Sequence, residues 1–370
     1  MIRVNNIHLS LDYDDKSVRK AVAQQLRIEE KSIKSCKIFR RSVDARKKDN
    51  IYFLTTVDAE LNINEEKVCK KCGNAQIARK YEYNQMKFGN APSPVIVGAG
   101  PAGLFAALIL ARSGAKPILI ERGRDVDRRT ADVNRFWTSG QLDATSNVQF
   151  GEGGAGTFSD GKLNSGTKDI RQRKVLEEFV SHGAPDEILY NAKPHIGTDM
   201  LKGTIKNIRN EIIELGGMVM FETKLVSMAF SDNKLKAITV ETANGDEIIE
   251  TSNVILAIGH SARDTFEMLY DLKLPIEAKP FSVGARIEHL RQKVDKAQHG
   301  RFAGDKKLGS ANYKLSTHLD NGRGVYTFCM CPGGKVVNAS SEENRLCTNG
   351  MSEFARDAEN SNSALLVGIN

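Results

Sequence analysis

Apolar and polar residues along the first 61 positions follow the order strand, helix, strand, strand. Residues 2–10 alternate as in a strand, residues 18–26 carry apolar side chains at helical spacing, and strand-like runs follow at 33–39 and 51–59. A helix packed on antiparallel strands would bury the apolar side of each element. The pattern therefore predicts a small α+β module over residues 1–61.

The pattern becomes polar and charged over residues 62–93. This segment ends in Gly-Asn-Ala-Pro-Ser, and a second proline follows at position 94. Proline fixes φ and removes a backbone donor, so two prolines this close disfavour both a helix and a central strand. We predict a linker over 62–93 and a second domain that begins at residue 94.

The second domain opens with a short apolar strand that runs into a glycine-rich turn and an apolar helix. The turn reads Gly-Ala-Gly-Pro-Ala-Gly over residues 98–103. In this context Gly98 permits a tight turn, Gly100 lets the backbone approach a pyrophosphate, and Gly103 allows the helix to pack closely on the strand. The N-terminus of that helix would present free N–H groups to the phosphates.

A second strand, predicted over 117–120, leads into Glu121 and Arg122. Glu121 lies at about the distance expected for the acidic residue that binds a ribose hydroxyl pair, and an acid there disfavours a 2′-phosphate. Strand, glycine turn, helix, second strand and acid in this order predict a dinucleotide-binding site.

A later segment favours FAD over NAD. Residues 149–163 read QFGEGGAGTFSDGKL, which is too irregular for a strand and too rich in glycine to be an ordinary solvated linker. Its backbone can approach a second phosphate or a flavin ring, and Thr157 and Ser159 supply hydroxyl groups. A domain that binds only NAD has no obvious need of such a segment.

Alternating residues then predict a β-meander and a return strand. The runs at 218–221, 225–230, 235–241 and 247–250 alternate as in antiparallel strands. The segment 253–258 then leads into Gly259, as a strand that rejoins a parallel sheet beside a cofactor.

Four motifs together resemble one protein family. They are the 149–163 segment, LAIGHSARDTF at 256–266, TFCMCPGG at 327–334 and TNGMS at 348–352. The chain resembles, over essentially its whole length, the uncharacterised bacterial FAD-dependent proteins that are often called NAD(FAD)-utilising dehydrogenases. The resemblance implies an FAD-dependent oxidoreductase with an FAD domain of the glutathione-reductase type.

In that resemblance, the strand that contains Leu225 and Val226 corresponds to one that contacts adenine through main-chain groups. The segment from Ala257 to Gly259 corresponds to the point where the backbone passes the cofactor. The residues predicted to bind the cofactor are Gly98, Ala99, Gly100, Pro101, Ala102, Gly103, Glu121, Arg122, Gly153, Gly154, Ala155, Gly156, Thr157, Ser159, Gly161, Lys162, Leu225, Val226, Ala257, Ile258 and Gly259.

The predicted fold class is α/β: a Rossmann-like FAD domain with an inserted β-meander, a small N-terminal α+β module and a β-rich substrate domain. The FAD domain is assigned to residues 94–268 and a partial substrate domain to 269–370. Chains of the family continue beyond the motif at the end of this sequence. We therefore expect this chain to be C-terminally truncated and to lack the closing element of the FAD domain, which leaves its retention of FAD open.

No catalytic residue is assigned, because flavin chemistry is carried out by the isoalloxazine ring and needs no visible acid or base. The candidates are His260, Lys162 and Cys331. The motif Cys329-Met-Cys331 suggests redox chemistry, although its spacing differs from that of disulfide reductases, and a packed strand-to-turn motif is the alternative. Cys69-Lys-Lys-Cys72 is half of a zinc site with no second half, so no metal is predicted.

The distribution of charge along the chain leaves one alternative function open. The net charge is +7, and residues 16–50 hold 12 Lys and Arg against 4 Asp and Glu. A solvated charged face explains this excess, while a flavoprotein directed to RNA by its basic N-terminal module, as a modification enzyme or redox sensor, stays open. Salt-dependent binding of RNA would distinguish the two.

The remaining expectations concern location and partners. No signal peptide or bilayer-length apolar run is visible, and six cysteines are few for 370 residues, which favours the cytoplasm. The expected partner is a small organic substrate, with NAD(P)H as a transient electron donor because no second glycine fingerprint is present. No membrane contact is expected, and no oligomeric state is predicted.

Overall fold

The computed structural model describes residues 1–79, 81–89, 92–167 and 169–369, which form three units. The first unit is an antiparallel sheet of strand order β2-β3-β1-β4 with one helix on its face. Its elements in chain order are β1 (Ile2–Leu9), α1 (Asp15–Leu26), β2 (Ile33–Asp44), β3 (Tyr52–Leu61), α2 (Glu65–Lys71) and β4 (Ala75–Ile77).

Helix α1 forms because Asp14 caps its first turn and one of its faces is apolar. The Asp14 Oδ1 accepts a hydrogen bond from the Ser17 N–H at 2.8 Å. Val18, Val22 and Leu26 on the inner face pack on the sheet and are almost fully buried. The predicted βαββ module is therefore present.

The predicted end of this module at residue 61 is too early. Helix α2 and strand β4 lie inside the segment assigned as a linker, and β4 pairs with β1 over Ala75–Ile77. Val68 of α2 is buried in the same core. A three-residue edge strand is too short to produce a readable alternation, so the polar composition of the segment concealed it. Asn90 and Ala91 lie outside the described residues.

The second unit is a parallel sheet of order β11-β5-β6-β7 with helices on one face and a meander on the other. Its elements are β5 (Val95–Val97), α3 (Pro101–Arg112), β6 (Ile118–Ile120), α4 (Val126–Ser139), α5 (Gln172–Ser181), α6 (Thr198–Glu214), β7 (Met218–Met220), β8 (Lys224–Ser231), β9 (Lys234–Thr242), β10 (Gly245–Glu250), β11 (Val254–Leu256) and α7 (Arg263–Asp271).

The layers of this unit follow from the apolar patterns of its elements. Leu104 and Leu108 of α3 pack with Ile205 and Ile208 of α6 against one face of the sheet. Val240 of β9 belongs to the apolar cluster on the opposite face. The return strand is confirmed, because β11 pairs in parallel with β5.

The predicted meander is correct in three of its four strands. Strands β8, β9 and β10 form an antiparallel sheet. The first predicted strand, at 218–221, instead provides β7, which pairs in parallel with β6. An isolated apolar triplet carries no information about which sheet it joins, since the pairing is decided by contacts distant in sequence.

The third unit is an antiparallel sheet of order β12-β17-β14-β13 with a small two-stranded sheet beside it. Its elements are β12 (Phe281–Leu290), α8 (Arg291–His299), β13 (Ser316–His318), β14 (Gly324–Cys331), β15 (Lys335–Asn338), β16 (Thr348–Met351) and β17 (Asn360–Ile369). The predicted fold class is confirmed. Among the described residues, no helix has both the length and the apolar character needed to cross a membrane.

Helix α3 packs closely on β5 at Gly103, and this contact gives a prediction for the stability of a Gly103 variant. A methyl group at Gly103 would overlap the Gly98 carbonyl oxygen and approach the Ile96 Cγ2 to 3.3 Å. Gly103→Ala should therefore lower the free energy of unfolding by about 2 kcal/mol or more. Chemical denaturation would measure this loss.

Gly203 provides the matched control, because it also lies within a helix but has no heavy atom within 4 Å of the added methyl group. Gly203→Ala should leave the free energy of unfolding unchanged or raise it by up to about 1 kcal/mol. Equal effects of the two substitutions would contradict close packing at Gly103.

Candidate cofactor-binding cleft

Two glycine-rich segments face each other at the carboxyl end of β5. Gly98 has φ +103° and Gly154 has φ +63°, which are conformations that glycine adopts without strain. The Gly153 N–H donates to the Ala99 carbonyl at 2.8 Å. A methyl group at Gly154 would lie 3.1 Å from the Gly100 Cα. A side chain at Gly154 would therefore crowd the backbone at Gly100.

A cleft of about 590 Å³ opens between these segments and the strands beside them. The N-terminus of α3 faces it, and the first N–H groups of a helix have no partner within the helix. Its lining is formed by Val97, Gly98, Gly100, Pro101, Ala102, Ile120, Glu121, Arg122, Gln149, Phe150, Gly151, Gly154, Ala155, Gly156, Thr223, Lys224, Leu225, Leu256, Ala257, Ile258, Gly259, His260, Ser261, Ala262, Thr265, Phe266 and Leu269.

Glu121 connects the two walls of the cleft. Its Oε2 accepts a hydrogen bond from the Ala99 N–H at 2.8 Å, and its Oε1 accepts from the Gly123 and Gly151 N–H groups at 3.0 Å each. A carboxylate offers about four acceptor positions, so three backbone donors leave capacity for one further donor. The side chain is only 6% exposed, and that exposure is toward the cleft.

The segment 147–154 is held by a fully buried guanidinium. Arg129 of α4 donates to the carbonyl oxygens of five residues at 2.5 to 3.2 Å. Burial lowers the pKa of Arg129 to about 10, against the opposing effect of two nearby carboxylates, and the group stays protonated at neutral pH. The five acceptors are the carbonyls of Asn147, Val148, Gly151, Glu152 and Gly154.

Glu152 fixes the same segment from the other side. Its Oε2 accepts from the Val126 N–H at 2.7 Å and from Arg209 Nη1 at 3.0 Å. Burial raises the pKa of Glu152, although the Val126 N–H and the Arg209 charge oppose the rise. The glycine-rich segment is therefore tied to both α4 and α6.

Two cations at the rim of the cleft share one carboxylate. Arg122 lies over the Phe150 ring, 4.5 Å from its centroid, and bonds to Asp264 of α7 at 2.9 Å. Lys224 bonds to the same carboxylate at 2.8 Å. Although burial opposes ionisation, hydrogen bonds from Arg122 and Lys224 hold the pKa of Asp264 well below its ordinary value.

Most of the predicted cofactor-binding residues line this cleft. They are Gly98, Gly100, Pro101, Ala102, Glu121, Arg122, Gly154, Ala155, Gly156, Leu225, Ala257, Ile258 and Gly259. Their roles in binding stay predictions.

The other predicted cofactor-binding residues serve packing or lie elsewhere. Thr157 is fully buried, and its hydroxyl faces the Glu152 carbonyl at 3.5 Å. The Ser159 hydroxyl donates to the Gly350 carbonyl at 3.2 Å. The residues outside the cleft lining are Ala99, Gly103, Gly153, Thr157, Ser159, Gly161, Lys162 and Val226. The hydroxyl groups of Thr157 and Ser159 thus contact carbonyl oxygens of the protein and do not line the cleft.

The three catalytic candidates separate into two places. His260 is exposed at the rim of the cleft, with its Nδ1 2.8 Å from the Ser261 hydroxyl. Lys162 and Cys331 lie together in another cluster, where Nζ and Sγ are 3.4 Å apart. A shared site for all three is therefore not observed.

The sequence did not predict the role of Arg129. It also did not predict that Glu121 would accept hydrogen bonds from both glycine-rich segments. One signal for Arg129 was available, because it occupies a position on the buried face of α4 between Val126 and Val133. A charged residue on an apolar stripe indicates a buried polar contact. Its acceptors could not be read from the sequence.

The geometry defines a class of protein. A parallel sheet, a glycine turn at a helix N-terminus, an acid after the second strand and a second glycine-rich wall characterise a dinucleotide-binding flavoprotein. The residues present fit the ADP half of FAD, because the wall near Gly100 is backbone alone and Glu121 retains acceptor capacity.

Family models match three parts of the chain. Residues 93–132 match an FAD binding domain, and residues 280–370 match the C-terminal domain of FAD-dependent proteins. Residues 1–60 match a domain of unknown function. These segments fall in the three structural units.

An uncharacterized protein of Clostridium beijerinckii is 47% identical over 374 residues, covering 100% of this chain and 69% of that protein. The chain belongs to this family of FAD-dependent proteins. Its cofactor is FAD.

Solved structures give more distant likenesses. THI4 of Thermovibrio ammonificans is 16% identical over 50% of this chain and 63% of that chain, with a TM-score of 0.31. A flavoprotein/dehydrogenase of Cytophaga hutchinsonii is 15% identical over 74% and 55%, with a TM-score of 0.35. Glycerol-3-phosphate dehydrogenase of Bacillus halodurans, complexed with FAD, is 12% identical over 76% and 48%, with a TM-score of 0.35. The chain spans less than two thirds of each of these structures.

The buried guanidinium gives a prediction for stability. Arg129→Met would leave five carbonyl oxygens without their donor, and it should lower the free energy of unfolding by about 3 kcal/mol or more. Urea denaturation followed by circular dichroism would measure the change.

Arg128, the next residue of α4, is the matched control. Its side chain is 53% exposed and pairs with Asp125 and Glu222, so Arg128→Met should cost less than about 1 kcal/mol. If Arg129→Met were no more destabilising than Arg128→Met, the segment 147–154 would not depend on the buried charge.

Proposed function

We propose that the cleft binds FAD by its ADP half and that the protein oxidises or reduces a small organic molecule. The observation that carries this proposal is the pair of backbone walls, at 98–103 and 151–156, which meet at the N-terminus of α3. Such a cradle favours a pyrophosphate, because its N–H groups and the helix dipole both attract negative charge.

Different residues of the cleft would bind different parts of FAD. The N–H groups of the first turn of α3 would hold the pyrophosphate, and Glu121 would accept a hydrogen bond from a ribose hydroxyl. Leu225, which is 3% exposed, would pack beside the adenine ring. When bound, FAD supplies the two-electron chemistry, so the residues of this chain position it and its substrate.

Contacts between the second and third units support a substrate site beside the cofactor. The Gln149 amide donates to the Ala339 carbonyl at 3.2 Å, and the Trp137 indole donates to the Asn338 carbonyl at 2.8 Å. Together with the Ser159 contact to Gly350, these bonds attach the small two-stranded sheet to α4 and to the glycine-rich segment. We therefore expect the third unit to contribute the substrate-binding surface. NAD(P)H would serve as a transient donor.

Some basic side chains of the N-terminal module make hydrogen bonds within the protein. Arg41 donates to the Asn191 side chain at 2.9 Å and to the Tyr13 hydroxyl at 2.9 Å. Arg19 donates to the carbonyl oxygens of Ile33 and Lys34. Nothing in the comparisons connects this module with RNA, so the module is proposed to stabilise the chain rather than to recruit nucleic acid.

Flavin content and its reduction test the proposal. The purified protein should carry FAD, and NADH or NADPH added without oxygen should bleach its flavin absorbance. Gly100→Ala should reduce the FAD content about tenfold or more, since the methyl group projects into the gap facing Gly154, with only an ordinary 3.9 Å contact inside the fold. Absorbance spectra before and after addition of the donor measure both effects.

Gly203→Ala is the control for flavin content, because its methyl group meets nothing within 4 Å and Gly203 does not line the cleft. It should retain the flavin content of the natural sequence. A protein that cannot be loaded with FAD, or a Gly100→Ala variant with unchanged FAD content and affinity, would refute the proposed site. A loaded protein that neither nicotinamide reduces would refute the proposed donor alone.

A further inference from the structure

Two cysteines at the end of β14 face a single ammonium group. The Nζ of Lys162 lies 3.9 Å from the Cys329 Sγ and 3.4 Å from the Cys331 Sγ, and it also pairs with Asp160 Oδ2 at 3.0 Å. The Nη2 of Arg286 donates to the Cys329 carbonyl at 2.6 Å and lies 4.0 Å from the Cys331 Sγ. Two cations therefore converge on two sulfur atoms, and neither cysteine lines the cofactor cleft.

The backbone brings these cysteines onto one side. The pairing of β14 with β17 shifts register between Phe328 and Cys331, and Cys329 adopts φ +45°, a left-handed conformation that is costly for a residue with a side chain. Two residues of extended chain span about 6.6–7.2 Å, close to the limit of about 6.8 Å between Cα atoms joined by a disulfide. The bulge and the left-handed conformation of Cys329 shorten the distance between the Cys329 and Cys331 Cα atoms relative to an extended chain.

The two sulfur atoms differ in access. Cys331 is fully buried, and a methyl group at Gly350 would come within 2.7 Å of its Sγ. Cys329 is half-buried, so an incoming molecule reaches its Sγ first. A partly exposed sulfur beside a fully buried one is the arrangement in which one thiol attacks and the other resolves.

Hydrogen bonding assigns the charge to Cys329. The Cys331 Sγ donates toward the Cys329 carbonyl oxygen at 3.4 Å, and the Lys162 Nζ lies within 4 Å of both sulfur atoms. Hydrogen bonding by the Cys331 thiol holds the pKa of Cys329 below its ordinary value; burial and the charge of Asp160 oppose the effect, and Lys162 and Arg286 reinforce it. The same hydrogen bond, together with burial, raises the pKa of Cys331.

We propose that Cys329 and Cys331 form a reversible dithiol–disulfide couple that exchanges with small-molecule disulfides, with Cys329 as the attacking sulfur and Cys331 as the resolving thiol. A purely structural strand-to-turn motif would need neither the two cations near the sulfur atoms nor a left-handed residue within β14. The proposal is independent of flavin chemistry.

The exchange balances in two steps. The Cys329 thiolate attacks one sulfur of the disulfide RSSR, whose S–S bond breaks, and the leaving thiolate takes a proton from water. Cys331 then gives its proton to water and attacks the Cys329 sulfur of the mixed disulfide, whose S–S bond breaks. The released second thiolate takes a proton from water. Two protein thiols are thus oxidised by two electrons and one disulfide is reduced to two thiols, with Lys162 beside both sulfur atoms as a positioning residue.

Glutathione disulfide tests the couple on the full chain. After incubation at pH 7, unfolding in urea and alkylation with N-ethylmaleimide, digestion after Arg323 and Lys335 gives a peptide whose cysteines are Cys329 and Cys331 alone. The expected peptide carries no alkyl group and has lost the mass of two hydrogens, and dithiothreitol restores both alkylation sites. A doubly alkylated peptide after excess glutathione disulfide, with exposed Cys347 glutathionylated in the same sample, would overturn the proposal.

Single variants separate the two roles. Cys331→Ser should trap a glutathionyl group on Cys329, whereas Cys329→Ser should leave Cys331 unreacted because that sulfur is buried. Unchanged denaturation curves for both variants exclude unfolding as the cause. Glutathione on Cys331 in folded Cys329→Ser would contradict the assigned order of attack.

The pH profile of alkylation tests the part played by Lys162. At pH 7, Lys162→Met should slow alkylation of Cys329 by about threefold or more and move its profile to higher pH, because the loss of a nearby cation disfavours the thiolate. Cys347 in the same chain and an exposed lysine variant, Lys314→Met, should show no change. A Cys329 profile that coincides with that of Cys347 in the natural sequence would overturn the proposed attacking thiolate.

Discussion

The cofactor cleft depends on a single buried charge. Arg129 is enclosed by the segment that it organises, and each of its carbonyl partners belongs to residues 147–154. Removal of a guanidinium from water is costly, and five backbone acceptors with two nearby carboxylates compensate for that cost. Gly151, Gly153 and Gly154 have no side chains to pack, so an external group that holds their backbone is needed to fix its shape. The segment 151–156, which forms the second wall of the cleft, therefore depends on the hydrogen bonds of Arg129.

The same constraint explains why the site is made mainly of backbone. Glu121 receives donors from both glycine segments, and Glu152 ties the second of them to α4 and α6. Arg129 and Glu152 thus act behind the cleft, while the backbone of the glycine-rich segments faces it. A pyrophosphate recognised in this way needs no arginine or lysine of its own, and the identity of the ligand follows from the shape of the two turns.

The sequence predicted the features that are encoded locally. The turn at 98–103 and the return strand β11 were predictable because each joins an apolar strand to glycine in a short span. The pairing of β7 with β6, the edge strand β4 and the acceptors of Arg129 were not, since each is decided by residues far apart in sequence. The contact of Lys162 with Cys331, 169 positions away, was not predictable for the same reason, and its predicted role at the cofactor stays a prediction.

The most direct test of the account is competition between ligands for the apoprotein, measured by calorimetry. If the cleft holds the ADP half of FAD, then ADP should bind and be displaced by FAD, while FMN, which lacks that half, should bind neither tightly nor in competition with ADP. FMN binding as tight as that of FAD, or FAD binding that excess ADP leaves unaffected, would contradict the assignment of the glycine walls to the pyrophosphate.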